Sequence, residues 1–290
     1  MDDLHLDDLR IDSLVDLLKA SYTLEDYEHM IEIADKLLLS AERVYSRQKQ
    51  SIDSGKRYVY LDGKRHIVYY FGFSQMAKGI ALQKKELYNE SLICIKNYAD
   101  LSWLDDGSKD AAEEIAAFKT FAEANTYSVN LLAGRQEYLH QYVQFLKASR
   151  IEELLPGMIT ILNSAIQHGF AVDFVLNDSE GAIEEAIEAC SKDSKEVVYV
   201  TKFYYTLSEY HLKMKHYQIA LHYILLTLAV SDKFKNVAVF KKCVVLFEHH
   251  RIHADQDQQN TYAKFMNEIW EREIKNEKSI SNDDAYNRVN

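Results

Sequence analysis

Apolar residues recur at three- and four-residue intervals along almost the whole chain. This spacing puts them on one side of a helix, so it predicts about a dozen amphipathic helices joined by short polar turns. Pro156 suits the first turn of its helix, and Gly169 suits the cap after a helix that ends at His168. The predicted spans are 10–23, 26–46, 66–86, 88–103, 109–133, 137–148, 153–168, 180–190, 195–213, 216–231, 235–251 and 255–275.

The segment 58–68 departs from the helical pattern. Asp62 and Gly63 form the signature of a two-residue hairpin turn between two short apolar runs. A lone hairpin is only marginally stable in water, so an ordered loop between helices is the favoured interpretation. Residues 1–275 are predicted to form a single tetratricopeptide-like helical repeat domain, followed by a polar, frayed tail over 276–290.

Small and apolar residues recur at the same offsets in three parts of the chain. The register starts at Leu18, Gly79 and Ser208, and each start is followed, after the expected turn, by a tyrosine: Tyr27, Tyr88 and Tyr217. This is the pattern of tetratricopeptide repeats, in which a small residue lets two antiparallel helices approach. The starts are not separated by multiples of the roughly 34-residue period, so an irregular array is predicted. A generic helical bundle with accidental offsets is the alternative, and the three tyrosines favour the repeat.

Composition agrees with this interpretation and narrows the function. The chain has 290 residues, of which 47% are hydrophobic, and only one proline and nine glycines interrupt it. Such a shortage of helix breakers favours long helices. The 34 basic and 45 acidic residues give a net charge of −11, which would repel phosphate backbones. Because the sequence shows no segregated basic patch, direct binding of nucleic acid by this chain is not expected.

Neither export nor membrane insertion is indicated. The N-terminal residues are acidic and lack the apolar stretch of a secretory signal, and the longest hydrophobic segments all contain charged residues or histidine. Cys94, Cys190 and Cys243 have no metal-type spacing and lie in apolar helical contexts, where cysteine acts as a small hydrophobe. A reducing, cytoplasmic location is therefore predicted, with no membrane partner.

Four stretches carry a family resemblance: 79–83, 95–103, 121–127 and 153–162. They include Leu-Ser-Trp at 101–103 and Leu-Pro-Gly at 155–157. Together they resemble the sensor region of Gram-positive helix-turn-helix regulators that carry tetratricopeptide repeats, the relatives of the Rap, NprR and PlcR peptide-pheromone receptors of quorum sensing. The resemblance implies an all-α, right-handed superhelix whose concave face binds a short signal peptide or a partner protein.

In the relatives that bind DNA, the resemblance also implies an N-terminal helix-turn-helix. No basic recognition helix precedes Leu18 in this sequence, so a DNA-binding segment is expected to have been removed or never to have belonged to this member. Exposed apolar helix faces at the ends of a solenoid make a homodimer plausible.

No motif in the sequence indicates catalysis, so an enzyme is not expected, and no catalytic residue, metal ligand or cofactor is assigned. The nearest approach to a metal site is His249 with His253, which would share a helix face if the helix continued that far. A solvated helix end is the favoured interpretation, because two histidines without a third ligand rarely suffice. Glu184, Glu185 and Glu188 are expected to form a solvated face rather than an acid–base pair.

Candidate ligand contacts follow from the repeat register. If the first helix of each pair lines the concave face, the groove positions can be counted from the small residues Gly79, Ala124 and Ser208. Asn125 falls at such a position, where its amide can satisfy a ligand's backbone N–H and C=O together. Ordinary solvated positions are an equally weighted alternative. The predicted peptide-binding residues are Gln83, Lys84, Asn125, Lys202, Tyr205, Glu209 and Lys213.

The predicted function is that of a cytoplasmic peptide-binding sensor that regulates transcription or a signalling partner. Docking on a response regulator without any peptide is the second hypothesis, since the resemblance allows it as well. An enzyme that uses a metal or a small ligand at the histidine cluster is the third, and the lack of catalytic motifs argues against it.

Overall fold

A computed structural model describes residues 9–54, 63–192 and 196–286 of the chain. Helix accounts for 85% of the structure, and no strand occurs among the described residues. The prediction of an all-α fold is therefore confirmed. None of the helices in these three ranges is both long enough and sufficiently apolar to cross a membrane.

The helices group into two compact units, Met1–Ala148 and Ser149–Asn290. In a repeat array each helix pair contacts only its neighbours, so a long array divides readily into such units. The single domain over 1–275 and the right-handed superhelix stay predictions.

The first unit contains six α-helices among its described residues, and each packs against the next one along the chain. The third of these helices also contacts the first and the fifth, which is the pattern of contacts expected of stacked helix pairs. Their shared core includes the fully buried side chains of Leu14, Leu18, Leu37 and Phe118. The helices are α1 (Ile11–Thr23), α2 (Tyr27–Asp53), α3 (Ile67–Lys84), α4 (Tyr88–Ala99), α5 (Lys109–Leu132) and α6 (Leu139–Ala148).

The second unit contains seven α-helices among its described residues: α7 (Leu154–His168), α8 (Asp173–Asp178), α9 (Glu180–Lys192), α10 (Val197–Lys213), α11 (Tyr217–Lys233), α12 (Val237–His250) and α13 (Gln256–Tyr286). Helix α10 packs against α7, α9 and α11, and α11 packs against α12. The twelve predicted spans correspond to every helix of both units except α8, which is too short to show a helical period. Helix α13 continues to Tyr286, so the predicted end at residue 275 is too early.

Five helix ends within the described residues share one backbone turn. In each, an amide N–H donates to the carbonyl five residues earlier, and the preceding residue donates to the carbonyl three residues before it. This is the Schellman motif, which needs a residue in the left-handed region. Those residues are Glu25, Glu86, Gly134, Lys215 and Lys235, with φ between 56° and 84°. Helices α2, α4 and α11 then begin at the three tyrosines of the repeat register, so the predicted turn before each tyrosine is confirmed.

The small residues of the register lie at close contacts between paired helices. A Cβ added to Gly79 would lie 3.2 Å from the Cβ of Cys94 on α4. The hydroxyl of Ser91 donates to the Gly79 carbonyl at 2.7 Å, which ties the two helices together. In the second unit, Ser208 of α10 and Ala220 of α11 are both completely buried. The register therefore identifies real contact positions in both units.

Two segments that the sequence singled out have different outcomes. Residues 58–62 of the predicted hairpin lie outside the described residues, whereas Ile67 and Val68 begin α3. Pro156 lies in the first turn of α7, and Gly169 caps the end of that helix with a left-handed φ of 74°. Both predictions for α7 are confirmed.

Three of the buried tyrosines have a hydroxyl that is hydrogen-bonded to a polar side chain of another helix. Tyr70 donates to Asp12 at 2.6 Å, and Tyr210 donates to Asp173 at 2.6 Å. The Tyr98 hydroxyl accepts a bond of 2.8 Å from a side-chain amide of α5. Burial raises the pKa of all three to about 12, so the hydroxyls keep their protons at neutral pH. These bonds satisfy polar atoms that would otherwise be costly to bury.

Gly79→Leu is expected to overpack the contact between α3 and α4 and to reduce the free energy of unfolding by about 1–3 kcal/mol. Ala220→Leu should have the same effect in the second unit. Gly181→Leu is the matched control, because an added Cβ there meets nothing within 4 Å. Urea denaturation followed by circular dichroism measures all three variants. Equal midpoints for Gly79→Leu and Gly181→Leu would refute the repeat register.

Candidate functional site

Four of the predicted ligand contacts lie on α10. Lys202, Tyr205, Glu209 and Lys213 are spaced by three or four residues, so they follow one side of the helix. The two lysines are exposed, whereas Tyr205 and Glu209 are half-buried. Helical periodicity thus produces a stripe with an aromatic and acidic centre and a lysine at each end.

Lys242 of α12 completes the centre of this stripe. Its ammonium nitrogen lies 5.9 Å from the centroid of the Tyr205 ring, within reach of a cation–π interaction. The Tyr205 hydroxyl and the Glu209 carboxylate are close enough for each to shift the pKa of the other. Sequence reasoning missed Lys242 because it belongs to a different helix and has no place in the register of α10. We call Lys202, Tyr205, Glu209, Lys213 and Lys242 the α10–α12 surface.

The electrostatics of this surface centre on Glu209. Burial raises the pKa of its carboxyl above the ordinary value of 4.5, although the Tyr205 hydroxyl and the Lys242 ammonium act in the opposite direction. Burial and the adjacent Glu209 also raise the pKa of Tyr205. A half-buried carboxylate of this kind accepts hydrogen bonds from a ligand's amide or ammonium groups. Perturbed carboxylates of this kind cluster at functional sites.

The surface offers recognition groups rather than a nucleophile. Cys243, next to Lys242, is completely buried, and burial raises the pKa of its thiol to about 12. A thiol that stays protonated in an apolar setting is inert. The sequence expectation that Cys94, Cys190 and Cys243 act as buried small hydrophobes agrees with the structure, where all three are buried and free.

The other three predicted contacts belong to the first unit. Gln83 is half-buried and Lys84 exposed at the end of α3, and Asn125 is half-buried on α5. The side-chain nitrogen of Asn125 donates to the Tyr98 hydroxyl at 2.8 Å, so one of its donors is used inside the fold. Its carbonyl oxygen and second N–H are the groups it can offer to a ligand.

A cleft of about 410 Å³ lies beside the start of α3. Arg65 lines this cleft, and its guanidinium group forms an ion pair with Glu114 of α5. The guanidinium carbon also lies 4.1 Å from the centroid of the Tyr69 ring. Because these charges already compensate each other within the fold, the cleft is a weaker candidate than the α10–α12 surface. The residues that line it are Lys64, Arg65, His66, Asp110, Glu113, Glu114 and Ala117.

His249 and His253, the pair that the sequence pointed to, do not lie on one continuous α-helix. Helix α12 ends at His250, and His253 lies in the short 3₁₀ helix Arg251–His253. His249 and His253 therefore do not share a helix face, and the His253 ring instead stacks on Tyr217 at 4.0 Å. The described residues bring together a different group, Asp173, His211 and His216, which sequence reasoning missed.

No protein-family model, curated protein or solved structure matches the chain. The resemblance to Gram-positive sensor proteins therefore stays an expectation.

Glu209→Gln is expected to change how stability depends on pH. The pKa of the Glu209 carboxyl is raised in the folded protein. Its contribution to the free energy of unfolding is therefore fully present below the ordinary pKa of 4.5 and is lost as pH rises through the pKa of the folded state. A glutamine cannot ionise, so the variant should gain stability relative to the parent between about pH 4 and about pH 7. Urea unfolding at both pH values measures the difference.

Glu188→Gln is the matched control for this prediction. The Lys192 ammonium, as hydrogen-bond donor and nearby charge, lowers the pKa of the exposed Glu188 carboxyl. Its contribution is therefore present at high pH and lost as pH falls, so this variant should lose stability relative to the parent as pH rises. The interpretation of Glu209 fails if both variants respond to pH in the same direction.

Proposed function

We propose that the chain is a cytoplasmic regulatory module that binds a peptide or a partner protein through the α10–α12 surface. The observation that carries the proposal is the half-buried contact of Tyr205 with Glu209 and Lys242, in register with a lysine at each end of the stripe. Catalysis is not part of the proposal.

The chemistry of the surface suits a polypeptide ligand. Tyrosine supplies a large, rigid contact area with a polar tip, and such side chains dominate binding energy at interfaces. Glu209 can accept hydrogen bonds from N–H groups, and the lysines can pair with carboxylates. A peptide with acidic groups along its length and an N–H donor near its middle matches this order of groups. The whole chain has a net charge of −11, and the lysines of this surface concentrate positive charge at one place. An acidic peptide is therefore attracted to this surface rather than to the rest of the chain.

A folded partner that binds without any peptide is the second candidate. Val237 and Val245 of α12 are 60% and 66% exposed, and Ile252 beyond that helix is 86% exposed. Val237, Lys241 and Val245 are spaced by four residues and lie on a side of α12 different from that of Lys242. Exposed apolar side chains grouped in this way favour contact with a protein surface.

Lys242→Ala is expected to weaken peptide binding about two- to fivefold, the loss of roughly 0.5–1 kcal/mol from one exposed cation. Lys241→Ala removes the same charge from the neighbouring position on the other side of α12 and is the matched control. Peptides that remain bound through purification are identified by mass spectrometry, and their affinities are measured by calorimetry. A larger loss for Lys241→Ala would shift the site to the apolar side of α12. Equal affinities for both variants and the parent would remove α12 from the interface.

Asn125 belongs to the first unit and is a candidate contact separate from the α10–α12 surface, so Asn125→Ala is expected to weaken only the binding of a peptide whose backbone pairs with this amide, by about 1–3 kcal/mol, or roughly 5- to 150-fold. The variant also loses the bond to the Tyr98 hydroxyl. Tyr98→Phe removes the same hydrogen bond but keeps the side-chain amide of Asn125. This variant should therefore bind the peptide like the parent. The same loss of affinity in both variants would show that Asn125 has only a structural role.

A further inference from the structure

A second polar cluster lies in the second unit where α8 begins and where α10 turns into α11. It consists of Asp173, His211 and His216. When one ligand atom is taken from each residue, the three atoms lie within 4.8 Å of one another. His211 is 6% exposed, Asp173 is half-buried and His216 is exposed, so the cluster reaches solvent at His216.

The spacing of the two imidazoles points to a shared ligand rather than to a direct bond. Their Nδ1 atoms are 3.4 Å apart, which is longer than the roughly 2.7–3.2 Å of ordinary hydrogen bonds from N–H donors. Two nitrogens bound to zinc at 2.0–2.1 Å with a tetrahedral angle stand about 3.3–3.4 Å apart. The separation of the two nitrogens is therefore the one that a shared zinc ion requires, and the three ligand atoms, which lie within 4.8 Å of one another, would draw closer on binding.

Both histidines and the aspartate are held in place by their surroundings. The His211 ring stacks on Tyr223 with an interplanar angle of 8° and also contacts the Tyr210 ring. The backbone N–H of His216 donates to the His211 carbonyl at 2.8 Å, which fixes the distance between the two residues.

The aspartate is positioned from behind by Tyr210. The Tyr210 hydroxyl donates to Asp173 Oδ2 at 2.6 Å and accepts from the backbone N–H of Val172 at 2.9 Å. Ligating carboxylates are typically oriented by such outer hydrogen bonds, which are part of a metal site rather than an addition to it. The arrangement therefore has ligands and the support that holds them.

We propose that Asp173, His211 and His216 bind a zinc ion, with a fourth coordination position open to water or to an incoming ligand. Two imidazoles and one carboxylate are a donor set that zinc accepts, and three protein ligands with one open position are typical of its non-structural sites. The ion would join the start of α8 to the turn between α10 and α11. The proposal does not depend on the α10–α12 surface.

The test uses the full chain after treatment with a chelator. Calorimetric titration with Zn²⁺ should show one site per chain, and Co²⁺ should give the visible absorption of a tetrahedral complex. His216→Ala should weaken Zn²⁺ binding about 100-fold or more, because only two ligands remain. His222→Ala is the matched control, since it removes another exposed histidine of the same unit and should bind Zn²⁺ like the parent.

Tyr210→Phe tests the supporting shell separately. It keeps all three ligands, and loss of the outer hydrogen bond should weaken Zn²⁺ binding about 10- to 100-fold. Circular dichroism shows whether each variant keeps its helices. Unchanged Zn²⁺ binding in His216→Ala would overturn the proposal, and loss of binding in His253→Ala instead would place the ion at the other histidine cluster. No binding by the parent chain would overturn the proposal outright.

Discussion

The Schellman turn at the end of a helix decides which side chains of a helix pair become neighbours. At Lys215 the backbone enters the left-handed region, and the His216 N–H then reaches the His211 carbonyl at 2.8 Å. The same bond joins Asn130 to Arg135 in the first unit, and there the two side chains are also hydrogen-bonded to each other. The turn therefore places the two backbones side by side, and in these two cases the side chains at its ends also meet. At His211 and His216 the turn sets the separation of the two backbones and the packing of His211 on Tyr223 orients its ring, so a third ligand is all that a metal site still needs.

Buried tyrosine hydroxyls fix contacts between residues that are far apart in the sequence, which the turns cannot do. A turn relates residues five apart, whereas Tyr70 reaches Asp12 in another helix and Tyr210 reaches Asp173 at the start of α8. Each hydroxyl is buried, so leaving it without a partner would cost about 1–3 kcal/mol, and this cost selects one arrangement of the helices over its alternatives. In the second unit the same bond that satisfies Tyr210 also aims Asp173 at the two histidines. Stability and the placement of the third ligand thus come from one contact.

A feature could be predicted from the sequence when the residues that determine it lie close together along the chain. Helical periodicity and the tyrosine after each turn are local, so twelve helices and the contact positions Gly79 and Ala220 were predicted correctly. Helix α8 has only six residues, and a pattern of period 3.6 cannot be recognised in so short a segment. Lys242 and Asp173 were missed because they approach α10 from other helices, and a register counted along one helix contains no information about them. The pair His211 and His216 was within reach, because the register already placed a turn between them.

Helix α10 carries both candidate sites on different sides. Glu209 and His211 are two residues apart, and two residues correspond to about 200° around an α-helix, so Glu209 faces α12 while His211 faces the start of α8. A helix transmits a displacement along and about its axis because its backbone bonds are all internal. A zinc ion that fixed the end of α10 would therefore restrict the positions available to Tyr205 and Glu209. If zinc changes the affinity for a peptide by some factor, linkage requires the peptide to change the affinity for zinc by the same factor. Two calorimetric titrations, each ligand in the presence and absence of the other, should then give the same ratio of affinities, and that ratio should differ from one; a ratio of one in both titrations would show that zinc does not restrict Tyr205 and Glu209.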